Sequence, residues 1–127
     1  MWALVVGPTV ATDVCVNAAC FDVEVAKTDA QRQRGLMFRQ HLNTNAGMWF
    51  VFGAEGIYPF WMKNTWIPLD IIWVNGNRRV AYIQQNAVPF SEVPIVPGAS
   101  AKWVLEVVAG TVKRRHIKVG DPVVVKQ

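Results

Sequence analysis

The stretch Leu69–Gln85, LDIIWVNGNRRVAYIQQ, decides the fold class. LDIIWV is built from β-branched, aliphatic and aromatic residues, which suit a pleated and largely buried surface. Asn75-Gly76 follows it, the strongest short-range signal for a tight hairpin, because both residues accept positive φ. RRVAYIQQ then reads as the return strand. An antiparallel β-hairpin is the first expectation.

Working outward, turn residues recur at the spacing of an all-β chain. Upstream, GMWFVF (Gly47–Phe52) and FWMKNT (Phe60–Thr65) read as strands separated by a glycine-containing loop. Val14–Val16 and Cys20–Val25 read as a hairpin around Asn17-Ala18. That turn sets Cys15 opposite Cys20, where cross-strand Cβ atoms lie about 4.5–5.5 Å apart, near disulfide reach. Two states are open for them, an oxidised staple in an exported protein or a pair of reduced thiols. A redox centre is disfavoured, since no Cys-x-x-Cys opens a helix. Thr28 with Gln31 forms a capping-box pattern and Gly35 supplies the stop, so a short helix is expected over Asp29–Arg34.

Downstream, AVPFSEVPIVPG (87–98) contains three prolines and reads as an extended loop or sheet edge. AKWVLEVVAG resumes the strand pattern, TVKRRHIKVGD makes a brief helical turn, and PVVVK closes the sheet. The chain of 127 residues fits one domain, and its net charge of +4, from 13 Lys and Arg against 9 Asp and Glu, is mild. The apolar MWALVV stops at Gly7-Pro8, so no membrane span and no complete export signal is read there, although a signal removed before Met1 would be invisible.

The chemistry is less legible. If FWMKNT is a strand, Phe60, Met62 and Asn64 share one face and Trp61, Lys63 and Thr65 the other, while Asp70 shares a face with Ile72 and Val74. Polar atoms then sit on faces built for burial and need partners. One reading makes Lys63, Asn64 and Asp70 a satisfied strut between two strands, within a structural network that includes Glu24, Arg39 and Glu106. The other makes Trp61, Lys63, Asn64, Trp66 and Asp70 a ligand cleft, in which tryptophans give flat apolar contact and the polar groups bond a glycan, peptide or protein partner.

An enzyme would need two titratable groups with pKa values driven apart, and Glu24, Asp70, Glu106 and Lys63 are the candidates. Pairing of the acids with Arg34, Arg39 or Lys63 is the alternative. No nucleophile elbow, phosphate loop or paired-histidine spacing is present, and His41 and His116 stand alone. Met37, Met48 and Met62 serve either as thioether ligands for a soft metal or as core packing, the second being favoured. No cofactor or metal is expected. The run KRRHIK (Lys113–Lys118) lacks aromatic interleaving, so nucleic-acid binding is not expected either.

The ordered set VEVAKT (23–28), RGLMFR (34–39), GMWFVF, FWMKNTWIPLDIIWV, WVLEVVAG (103–110) and IKVGDPV (117–123) resembles the bacterial and archaeal family called domain of unknown function 192, over residues 14 to 125. The resemblance implies a mainly β, single-domain antiparallel sandwich or barrel with one or two short helices, frequently made with a signal peptide or lipid anchor. It implies no activity, substrate or cofactor. Cys15 and Cys20 depart from the family pattern. The expected organisation is an extension or first strand over 1–13 and one domain over 14–127. The expected function is a small non-catalytic binding or accessory module, periplasmic or extracellular rather than cytoplasmic. The alternative is a hydrolase-like enzyme using Asp70, Glu106 or Glu24 with Lys63.

Overall fold

A computed structural model describes residues 11–127 of the chain, so most of the expected N-terminal extension lies outside the described residues. Seven strands are joined with two short helices: β1 (Thr12–Val16), β2 (Ala19–Ala26), α1 (Asp29–Arg34), β3 (Ala46–Gly56), β4 (Leu69–Val74), β5 (Val80–Ala87), β6 (Ala101–Val108), α2 (Thr111–Arg114) and β7 (Val123–Lys126). The strands form one sheet in the order β5-β4-β6-β3-β2-β1-β7. It curls into a half-barrel. At one corner its two edge strands meet, where Val80 donates to the Asp121 carbonyl and Val123 to that of Arg78, both at 2.9 Å.

The sheet is not wholly antiparallel, because β2 and β3 run parallel. A parallel pair needs a crossover connection, and α1 supplies it. Both halves of its capping box are formed, Gln31 N–H to Thr28 Oγ1 at 3.1 Å and Thr28 N–H to Gln31 Oε1 at 3.2 Å. Gly35 ends the helix at φ 47° and packs against the Phe50 ring. The β1–β2 hairpin pairs Cys15 with Cys20, and their sulfurs are bonded.

Both faces of the sheet are covered, which is why β4 is buried at every position and reads as a continuous apolar run. Inside the curl, Val14, Phe21, Trp49, Ile72, Leu105 and Val107 pack together. On the other face, Phe50, Ile71, Trp73 and Val104 lie beneath loops that contribute Leu36, Met62 and Ile67. Met48 and Met62 are buried members of this second core.

Two local expectations change. FWMKNT is not a strand: Phe60 makes one bridge to Ile95, and Met62–Thr65 is a turn closed by Thr65 N–H on the Met62 carbonyl at 3.1 Å. Asn64 takes φ 53°, a left-handed conformation that asparagine tolerates better than most residues. The segment lies across the sheet's outer face instead of joining its ladder. The β4–β5 turn is also longer than Asn75-Gly76 suggested. Asn75 Oδ1 accepts from the N–H groups of Asn77 and Arg79, each at 3.1 Å, Arg78 takes the positive φ, and the return strand starts at Val80.

At Gly47 the β6 backbone leaves no room for a side chain on β3. A Cβ there would lie 2.5 Å from the Glu106 carbonyl oxygen and 3.2 Å from Val107 Cγ1. Gly47→Ala should therefore destabilise the protein by about 1–3 kcal/mol in denaturant melts, the usual cost of overpacking. An unchanged midpoint would show that the strands do not approach so closely.

Candidate functional site

Asp70 and Glu106 are buried carboxyl groups on adjacent central strands, but they point to opposite faces. Asp70 shares the inner face with Ile72, whereas Glu106 pairs across the ladder with Met48 and Ile71 on the outer face. No substrate atom can therefore lie between them.

The Asp70 carboxylate accepts two backbone N–H groups, from Asn86 and from Val112, both at 2.9 Å. Val112 is in the first turn of α2, whose N-cap, Gly110, has no side chain to offer. Asp70 thus supplies from β4 the capping oxygen that the local sequence lacks, while also fastening the end of β5. Its partners are not Lys63 and Asn64, so the expected three-residue network is not formed. Lys63 and Asn64 are half-buried in the outer turn.

Glu24 pairs with Arg39 through two contacts, Nη1 to Oε2 and Nη2 to Oε1, the latter at 2.9 Å. Hydrogen bonding by Arg39 lowers the Glu24 pKa and raises that of Arg39. Both side chains are well exposed, so solvent limits the pair to about 1 kcal/mol or less.

Glu106 is different. It is 4% exposed and lines the floor of a cavity of about 620 Å³ between the sheet, the end of α1 and the 57–65 loop. Burial pushes its carboxyl from 4.5 up to about 8, with no charged or hydrogen-bonding neighbour opposing the shift. At neutral pH the group holds its proton and can both donate and accept a hydrogen bond. Aromatic side chains Phe52, Tyr58, Phe60 and Trp61 stand along the walls, with Thr65 deeper in.

The rim is set by Arg32, which donates to Asp29 at 2.5 Å, to the carbonyls of Lys27 and Val51, and lies over the Phe52 ring. Trp61 is 42% exposed, and the Lys63 ammonium sits 5.1 Å from its ring centroid. Trp66 lies farther out, edge-to-face with Phe90 at 5.0 Å. The turn carrying these residues is clamped on both sides: Phe38 N–H donates to the Asn64 carbonyl at 2.8 Å and Phe90 N–H to that of Thr65 at 3.1 Å. Phe38 and Phe90 both adopt positive φ, an uncommon state for bulky residues that the packed loops must enforce.

Of the residues singled out in the sequence, Glu106, Trp61, Thr65, Arg34 and Met37 line the cleft, and Lys63 stands beside it over the Trp61 ring. Asp70 does not, and Glu24 and Arg39 form a pair of their own. Arg32, Phe52 and Tyr58 were missed, since nothing local marks them as converging. The detectable signal was Glu106 itself, a lone acid flanked by valine and leucine in VLEVV. Among the described residues, no group of three or more His, Cys, Asp or Glu side chains is gathered as a metal site would require.

The model of the DUF192 family, described as uncharacterized, matches residues 12–125. The chain belongs to the DUF192 family. Solved structures agree with this DUF192 fold. A protein of unknown function from Novosphingobium aromaticivorans DSM 12444 is 41% identical, with a TM-score of 0.84 over 91% of this chain and 84% of its own. A Sinorhizobium meliloti 1021 protein, named a "putative transcription regulator", is 34% identical, with a TM-score of 0.85 over 94% of this chain and 98% of its own. Comparison with curated proteins finds no match.

Two variants separate the roles of the acids in this DUF192 chain. Asp70→Asn offers one acceptor where two N–H groups converge, and should cost about 1–3 kcal/mol in chemical denaturation. A cost near zero would mean that water can replace the carboxylate. For Glu106 the folded state binds the proton more tightly than the unfolded chain. Its contribution to stability is therefore complete below about pH 4.5 and declines until about pH 8. Melting temperature should fall across that window in the native protein and far less in Glu106→Gln; parallel curves would contradict the assignment.

Proposed function

We propose that this DUF192 protein is a small binding module whose ligand enters the cleft above Glu106, and that the ligand is a neutral glycan. The observation that carries this reading is a buried carboxyl, that of Glu106, opening into an aromatic-walled cavity; its burial favours the protonated form. Sugar rings present apolar C–H faces and hydroxyls that donate and accept. The rings of Tyr58, Phe60 and Trp61 suit the first, and the Glu106 carboxyl suits the second, with the Thr65 hydroxyl, which donates to the Lys63 carbonyl at 3.0 Å, left as an acceptor.

Catalysis is the weaker reading. Glycoside hydrolysis commonly uses a second carboxylate across the scissile bond. The other acid lining the cleft, Asp29, is fully exposed at the rim and paired with Arg32. The Cys15–Cys20 bond supports a periplasmic or extracellular setting, where disulfides persist. The regulator name of the Sinorhizobium meliloti neighbour would call for a DNA-reading element. The exposed basic stretch of Lys113–Lys118 offers charge, yet α2 spans only four residues and carries no matching groove-filling surface.

A thermal-shift screen against neutral oligosaccharides tests the proposal. A stabilising glycan should lose its effect in Trp61→Ala and lose much of it in Glu106→Ala, with both variants folded by circular dichroism. If no oligosaccharide shifts the melting point while a peptide does, the glycan assignment fails.

A further inference from the structure

The inner face of the sheet, opposite the Glu106 cleft, has a cavity of its own where its core reaches solvent, with a volume of about 270 Å³. Trp49, Val74 and Val123 are its buried floor, Val25 and Val51 are half-buried walls, and Val125 is 37% exposed at the rim. Trp49 and Trp103 also line it, their ring centroids 6.0 Å apart and their planes 13° from parallel. A third ring sandwiched between them would need about 7 Å, two contacts of about 3.5 Å each, so that slot is shut. What remains for a ligand is mainly valine methyls, which suit a flexible alkyl chain.

The mouth of this apolar cavity is cationic. Arg78 lines it, with its guanidinium carbon 5.9 Å from the Trp103 centroid, and Lys102 Nζ lies 5.4 Å from the same centroid. No Asp or Glu lines the cavity. The ion pairs among the described residues are Arg32–Asp29 and Arg39–Glu24, so neither Arg78 nor Lys102 is paired with a carboxylate. The turn that bears Arg78 is tied down on both sides, its carbonyl accepting from Val123 N–H at 2.9 Å and Arg79 Nη1 donating to the Gly120 carbonyl at 3.3 Å. A guanidinium is thereby held beside an apolar pocket with no internal anion to satisfy it.

Independently of the glycan reading, we infer that this cavity binds a small fatty acid as its anion, with the alkyl chain among the valines and the carboxylate on the Arg78 guanidinium. Paired N–H donors match a carboxylate in a way that a neutral or cationic head group cannot exploit. The volume sets the size: sites for drug-sized ligands begin at about 300 Å³, so a short or medium chain fills this one.

Calorimetric titration of the whole chain with saturated acids from hexanoate to dodecanoate, kept below their micelle concentrations, tests the inference. Affinity should rise about threefold per methylene and level off once the cavity is full. The alcohol of matching length should bind about fivefold more weakly than the acid; Arg78→Gln should erase that difference and Arg78→Lys keep most of it. Val125→Trp, a change at the exposed rim, should abolish binding while circular dichroism shows the fold intact. Equal binding of acid and alcohol would overturn the carboxylate assignment, and unaltered binding in Val125→Trp would overturn the location. No response to any acid would overturn the inference outright and leave the Glu106 cleft untouched.

Discussion

A strand covered on both faces cannot carry an unanswered charge, and this constraint shapes the protein. The central strands β4 and β6 each contain one acid among apolar residues, Asp70 and Glu106. An ionised carboxylate in such a place is very costly unless it is compensated. The two sites meet the requirement in different ways. Asp70 stays within reach of two backbone donors and becomes a fastening between β4, β5 and α2. Glu106 has no such donors, keeps its proton and faces a cavity. One acid is structural because its partners are internal; the other is available because they are not.

The loop layer turns that available group into a site. Lys63, Asn64 and Thr65, which look like polar intrusions in an apolar run, are a turn laid over the outer core. Its carbonyls receive the N–H groups of Phe38 and Phe90, and its neighbours Met62 and Ile67 fill the space below. Three non-glycine residues at positive φ, Phe38, Asn64 and Phe90, mark where the chain is held against its local preference. Such positions persist only when surrounding contacts over-determine them. The turn that brings Thr65 to the cleft is accordingly held in place by the loops on either side of it.

What the sequence disclosed was what is encoded locally. The Thr28–Gln31 capping box, the Cys15–Cys20 register and the strand character of LDIIWV each depend on a few adjacent residues, and each appears in the fold. FWMKNT misled because its composition is that of a strand, while its structure is decided by two flanking loops that take up its hydrogen bonds. The partners of Asp70 were hidden for a similar reason: Val112 N–H lies 42 positions away in the chain and belongs to a helix start that only the fold brings near. Glu106 was visible as an acid in VLEVV. Its role was not, because the cavity above it is assembled from α1, the 57–65 loop and β3.

Whether Glu106 keeps its proton decides what the cavity can bind, and carbon-13 chemical shifts of its side-chain carboxyl, followed against pH, report it directly. Burial of the carboxyl should place the midpoint at about 8, far above the ordinary 4.5. A midpoint at the ordinary carboxylate value would show a charged acid in that cavity, and the site would have to be understood in other terms.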